Sequence, residues 1–76
     1  MLDVTVVTPI RVLFEGKAES VIFPGECGVF EVLSYHKPLL SRLITGMLVI
    51  DKRHNFPIRR GVVGINQNKA VVIVEE

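Results

Sequence analysis

Apolar residues recur at every second position along most of this chain, many of them β-branched, and turn-forming residues interrupt the pattern at short intervals. A period of two places alternate side chains on opposite faces of an extended strand, so this pattern is the strongest constraint on the fold. The segments that carry it are LDVTVV (Leu2–Val7), RVLFE (Arg11–Glu15), AESVIF (Ala18–Phe23), VFEVL (Val29–Leu33), LLSRLI (Leu39–Ile44), MLVID (Met47–Asp51), FPIR (Phe56–Arg59), GVVGI (Gly61–Ile65) and KAVVIV (Lys69–Val74). Between them stand Pro9, Gly16, Pro24-Gly25, Thr45-Gly46 and the polar links Asp51–Asn55 and Asn66–Asn68, all of turn-forming composition. Pro57 suggests that its strand lies at a sheet edge, and the asparagines of Asn66–Asn68 suit a tight hairpin. The pattern predicts an all-β domain of eight or nine short strands, closed as a small two-sheet sandwich or a barrel.

The chain has 76 residues, which sets it at one domain, spanning 1–76, with no internal repeat. A single core of this size typically leaves roughly 3–5 kcal/mol of net stability, so a partner covering residual apolar surface is expected. The net charge of +1 gives no field to attract nucleic acid or acidic lipid over distance. Cys27 is the single cysteine, no leader segment opens the sequence, and no apolar run approaches the ~20 residues of a membrane helix. These features predict a reducing interior compartment and membrane contact only through another protein.

The residues that could carry chemistry are few. Nucleophilic catalysis would draw on Ser34, Ser41, Cys27, His36 and His54, yet no local signature surrounds any of them. Cys27 reads better as a small turn residue, and Cys27, His36 and His54 fit no zinc spacing. Gly61 and Gly64 beside Arg59 and Arg60 lack the following helix that a phosphate loop requires. The expectation is no catalytic, cofactor or metal residue. The alternative function is a small β-barrel binding module for single-stranded nucleic acid or another ligand, resting on Lys52, Arg53, His54, Arg59 and Arg60 around Phe56.

The segment Gly28–Leu40, GVFEVLSYHKPLL, breaks its alternation at Ser34-Tyr35-His36-Lys37-Pro38 and then returns to leucine. Taken in order, VTP (Val7–Pro9), LFEG (Leu13–Gly16), ESVIFPGECGVFEVLSYHKPLL (Glu19–Leu40), TGMLVI (Thr45–Ile50) and NKAVVIV (Asn68–Val74) resemble the amino-terminal β-sandwich of the epsilon subunit of F-type ATP synthase, called delta in mitochondria. The resemblance covers essentially the whole chain. It departs from the family pattern at Glu31, where glycine is usual, at Ser34-Tyr35, where Pro-Gly is usual, and at Arg60-Gly61-Val62, where GGF is usual.

The resemblance implies a non-catalytic rotor subunit, without cofactor or nucleic acid, that links the gamma subunit to the membrane c ring. It also implies a peripheral position on the cytoplasmic face of an energy-transducing membrane, or on the matrix or stroma side in an organelle. Most bacterial and chloroplast members continue into a helical hairpin that can inhibit ATP hydrolysis. This sequence stops at Glu76 after its last expected strand, so a sandwich without that hairpin or its inhibitory role is expected. The polar step becomes a turn beside a docking surface, with Val29, Phe30, Glu31, His36, Pro38, Leu39 and Leu40 as the residues meeting gamma or the ring. For His36 the competing reading is a side chain that satisfies backbone groups within its own turn.

Overall fold

The computed structural model describes all residues from Met1 to Glu76 and contains nine strands and no helix. They are β1 (Leu2–Val7), β2 (Val12–Ala18), β3 (Ser20–Gly25), β4 (Gly28–Leu33), β5 (Leu39–Leu43), β6 (Gly46–Ile50), β7 (His54–Ile58), β8 (Arg60–Asn66) and β9 (Lys69–Glu75). Hydrogen-bonded neighbours follow the order β2-β1-β9-β8-β5-β3-β6-β7, and β4 adds to the other edge of β3. All pairings are antiparallel except β1 with β9, where chain start and chain end run side by side. The two-residue link of the β8–β9 hairpin has left-handed φ at both Gln67 (49°) and Asn68 (61°), as such tight turns demand.

The sheet is continuous but folds over at one corner. Strand β3 pairs with β6 through Val21 and Ile22, then reaches β5 through the single pair Gly25–Leu43. Bonds from Ile44 N–H to the Pro24 carbonyl (2.8 Å) and from Glu26 N–H to the Arg42 carbonyl (3.4 Å) complete that seam. One layer is therefore β2-β1-β9-β8-β5 and the other β4-β3-β6-β7. Each strand contributes its inward residues to one core, including Leu2, Val4 and Val6 from β1, Leu48 and Ile50 from β6, and Val72 and Val74 from β9. On the open side the free edges β2 and β7 meet through rings, with Phe14 lying 6.5 Å from Phe56 edge-on and 5.6 Å from His54. The result is the two-layer sandwich that the alternation predicts, hinged by hydrogen bonds on one side and closed by aromatic packing on the other.

Two expected strand breaks are not breaks. Gly16 lies within β2, paired with Val4, because β2 is an edge strand and Phe14 covers the space where a side chain would stand. Pro24-Gly25 lies within β3. In an extended strand the nitrogen and carbonyl of a residue face the same side. The Pro24 carbonyl faces Ile44, so its ring nitrogen faces the gap where the ladder to β6 has ended and the contact with β5 has barely begun. A missing N–H costs nothing at that point.

Gly61 shows how closely β8 and β9 approach. A Cβ placed there would come within 2.5 Å of the Ile73 carbonyl oxygen and 2.8 Å of a Val74 methyl. Because the first of these is backbone, Gly61→Ala is expected to cost about 1–3 kcal/mol, read as a lower urea midpoint with an unchanged slope. An unchanged midpoint would show that β9 can slide away freely.

Candidate docking surfaces

Strand directions place every turn at one of two ends. One end gathers Met1, the β2–β3 bend at Glu19, the 34–38 turn, the β6–β7 turn (Asp51–Arg53) and the β8–β9 turn. The opposite end gathers the β1–β2 turn, the β3–β4 turn with Cys27, Ile44-Thr45, Arg59 and the chain end. Side chains lock each end. At the first, Asp51 Oδ1 accepts the backbone N–H groups of Glu19 (2.7 Å) and Ser20 (3.2 Å). Asn68 accepts the Tyr35 N–H through Oδ1 and donates from Nδ2 to the Met1 carbonyl, each at 2.7 Å. At the second, Thr8 Oγ1 accepts the N–H groups of Ile10 and Arg11, closing the β1–β2 turn.

The seven candidate docking residues do not share one face. Phe30 and Leu39 point inward and pack against the core, with the Phe30 ring stacked 5.3 Å from Phe23. Val29 and Glu31 stand on the outer face of the smaller layer, in register with Pro24 and Ile22 of β3. Leu40 stands on the outer face of the larger layer, where it lies over Gly64 and is 79% exposed. His36 and Pro38 are exposed in the turn, and His36 Nδ1 lies 2.7 Å from the Lys37 carbonyl. The ring is thus bound within its own turn while one edge stays open to a partner.

A second surface is wider than the sequence suggested. Across the outer face of the larger layer, strand register aligns Arg42, Val62, Ile73, Val7 and Val12 in one row, and Leu40, Gly64 and Val71 in the next. Leu40, Val12, Val71 and Ile73 are all about half exposed or more. A solvated sandwich face alternates with polar residues, whereas Val71-Val72-Ile73-Val74 is apolar on both faces, as in a strand covered from both sides. That unbroken run was the available signal.

The groups considered for chemistry stand apart. Cys27 is exposed in a turn at the opposite end of the strands from His36 and His54, and no three His, Cys, Asp or Glu residues converge as a metal would need. The cation cluster does not assemble either. Lys52 and Arg53 lie at one end of β7, Arg59 and Arg60 at the other, Arg60 pairs with Glu75 at 3.0 Å, and Phe56 is turned toward the core. Arg11 is held by Glu76 at 2.6 Å; the hydrogen bond first and the Coulomb attraction second raise its already high pKa. Both partners are exposed, so screening keeps this pair a minor contributor.

Residues 1–76 match the family model for the ATP synthase Delta/Epsilon chain, beta-sandwich domain. The ATP synthase epsilon chain of Nitratiruptor sp. is 40% identical over 78 residues, covering 97% of this chain and 60% of the relative. That of Chlorobaculum tepidum is 37% identical over 75 residues, covering 93% of this chain and 85% of the relative. The chain thus spans 60% of the length of the first relative and most of the second. Among solved structures, a chain of the Tetrahymena thermophila mitochondrial ATP synthase central stalk and c-ring superposes with a TM-score of 0.83 at 19% identity, covering 97% of this chain and 63% of that one. A chain of the Euglena gracilis mitochondrial ATP synthase OSCP/F1/c-ring structure gives 0.85 at 15% identity, covering 99% and 51%. The fold is therefore shared across low identity, and the match over every residue places the sequence within it: this chain belongs to the ATP synthase delta/epsilon family and carries that family's β-sandwich domain.

Proposed function

We propose that the chain is a non-catalytic central-stalk subunit of an F-type ATP synthase, joining the gamma subunit to the c ring so that ion flow is coupled to ATP synthesis. The family match over residues 1–76 carries this reading. Two features of the molecule support it. A two-layer body with one close-packed core, 27 × 26 × 21 Å in extent, transmits force without deforming. Its outer surface offers apolar area for permanent partners and no assembled reactive centre.

The two surfaces divide the partners. The apolar face of the larger layer, with Leu40, Val71 and Ile73, suits the extensive dry contact of a gamma subunit. The exposed turn with His36 and Pro38, together with Val29 and Glu31 on the edge strand β4, suits the polar loops of a c ring. Membrane association then arises through the complex, on the cytoplasmic face or its organellar equivalent. The test is add-back. ATP synthase from the same organism, stripped of this subunit, is expected to recover ion-coupled ATP synthesis when the chain is supplied, while the chain alone hydrolyses no ATP. Rebinding without recovered coupling, or no rebinding at all, would refute the assignment.

A further inference from the structure

Tyr35 is a bulky residue with φ of 61°, in the left-handed region that side chains other than Gly, Asn and Asp rarely occupy. Its own side chain is 81% exposed and does little to hold it there. The restraint comes from 33 residues away, where Asn68 Oδ1 accepts the Tyr35 N–H at 2.7 Å. No other hydrogen bond links residues 34–38 to another element. Asn68 is itself fixed on two sides: its Nδ2 donates to the Met1 carbonyl at 2.7 Å, and its backbone carbonyl accepts the Asp3 N–H at 3.1 Å. One amide side chain therefore ties the hairpin, the start of β1 and the turn that carries His36 and Pro38.

We propose that Asn68 is the positioning residue of the 34–38 docking turn, holding it in the one arrangement that its partner accepts. This rests on the reading that the turn meets the rest of the rotor. Asn68 touches no partner in this account and acts through the Tyr35 backbone. If releasing the amide lets the turn leave its docked arrangement for nine-tenths of the time, apparent affinity falls about 10-fold with the intrinsic contacts untouched.

The position allows a clean test, because Asn68 also has φ of 61°, which glycine adopts freely. Asn68→Gly therefore keeps the hairpin turn and deletes only the amide. Asn68→Asp keeps the acceptor for Tyr35 and turns an oxygen, in place of the donor, toward the Met1 carbonyl. The experiment measures the affinity of each variant for ATP synthase stripped of this subunit, alongside hydrogen exchange at the Tyr35 amide. Expected for Asn68→Gly are roughly 10-fold faster Tyr35 exchange and roughly 10-fold weaker rebinding, with Asn68→Asp, which retains an acceptor for Tyr35, changed less than Asn68→Gly in both. Unchanged affinity in Asn68→Gly, while His36→Ala or Pro38→Ala weakens rebinding, would overturn the positioning role and leave the docking turn standing. If no substitution in the turn alters affinity, the docking turn itself falls and the role of Asn68 falls with it.

Discussion

Phe23→Ala is expected to lose about 3–5 kcal/mol, the range for emptying a fully buried aromatic site, and so to leave the chain largely unfolded at 25 °C. Phe23 has no solvent exposure and is the largest fully buried side chain. Its strand, β3, is the one element that touches β4, β5 and β6, so the cavity would open beneath the corner where the two layers join. The stacked Phe30 ring also lies over Gly25, where an added Cβ would meet it at 2.6 Å, so swinging it into the cavity would uncover that glycine and exchange one void for another. Urea unfolding followed by far-ultraviolet circular dichroism measures the loss. Phe14→Ala should cost less, since Phe14 is only partly buried and closes the side of the sandwich that no hydrogen bonds join. A Phe23→Ala midpoint equal to that of the parent would mean that the corner is not the centre of the core.

The strands were legible because period-two alternation survives in nearly every one, and the two-residue β8–β9 turn was legible in Asn66–Asn68. Their boundaries failed at Gly16 and Pro24, where local preference gave way to a free edge and to a gap in the ladder. The parallel pairing of β1 with β9 joins segments at opposite ends of the chain, and no local pattern encodes it. The same holds for the side chains that organise the turns: Asp51 acts on residues 31 and 32 positions away, and Asn68 on residues 33 and 67 positions away. Within the candidate docking segment, Glu31 is the single polar residue of Val29–Leu33, and a period of two counted from it turns Phe30 inward and leaves Val29 outward. The broad apolar face was hidden for a different reason. The run Val71–Val74 marks it on one strand, but its breadth becomes visible only when Leu40, Val62, Val71, Ile73 and Val12 are brought into register across four different strands.

Ile73→Lys is expected to abolish stable assembly while leaving the isolated domain folded. Ile73 is half exposed on the outer face, between Val62 on β8 and Val7 on β1, so in the free chain the lysine stem lies along the sheet and its ammonium reaches water. Stability should change by no more than about 0.5 kcal/mol. Once a subunit covers the face, the same ammonium loses its water; the row's polar member is Arg42, and the acid two residues along β9 on the same face, Glu75, is already paired with Arg60. Burying an unpaired charge costs several kcal/mol, and about 2.7 kcal/mol already weakens binding 100-fold, so rebinding to the stripped enzyme should fall by at least that factor. Val29→Lys, on the outer face of the other layer, separates the two surfaces. If the larger layer carries the extensive contact, Val29→Lys weakens rebinding far less than Ile73→Lys. The reverse order would move the main subunit contact to the face of β4 and β3, and would leave the unbroken apolar run of β9 without a partner to account for it.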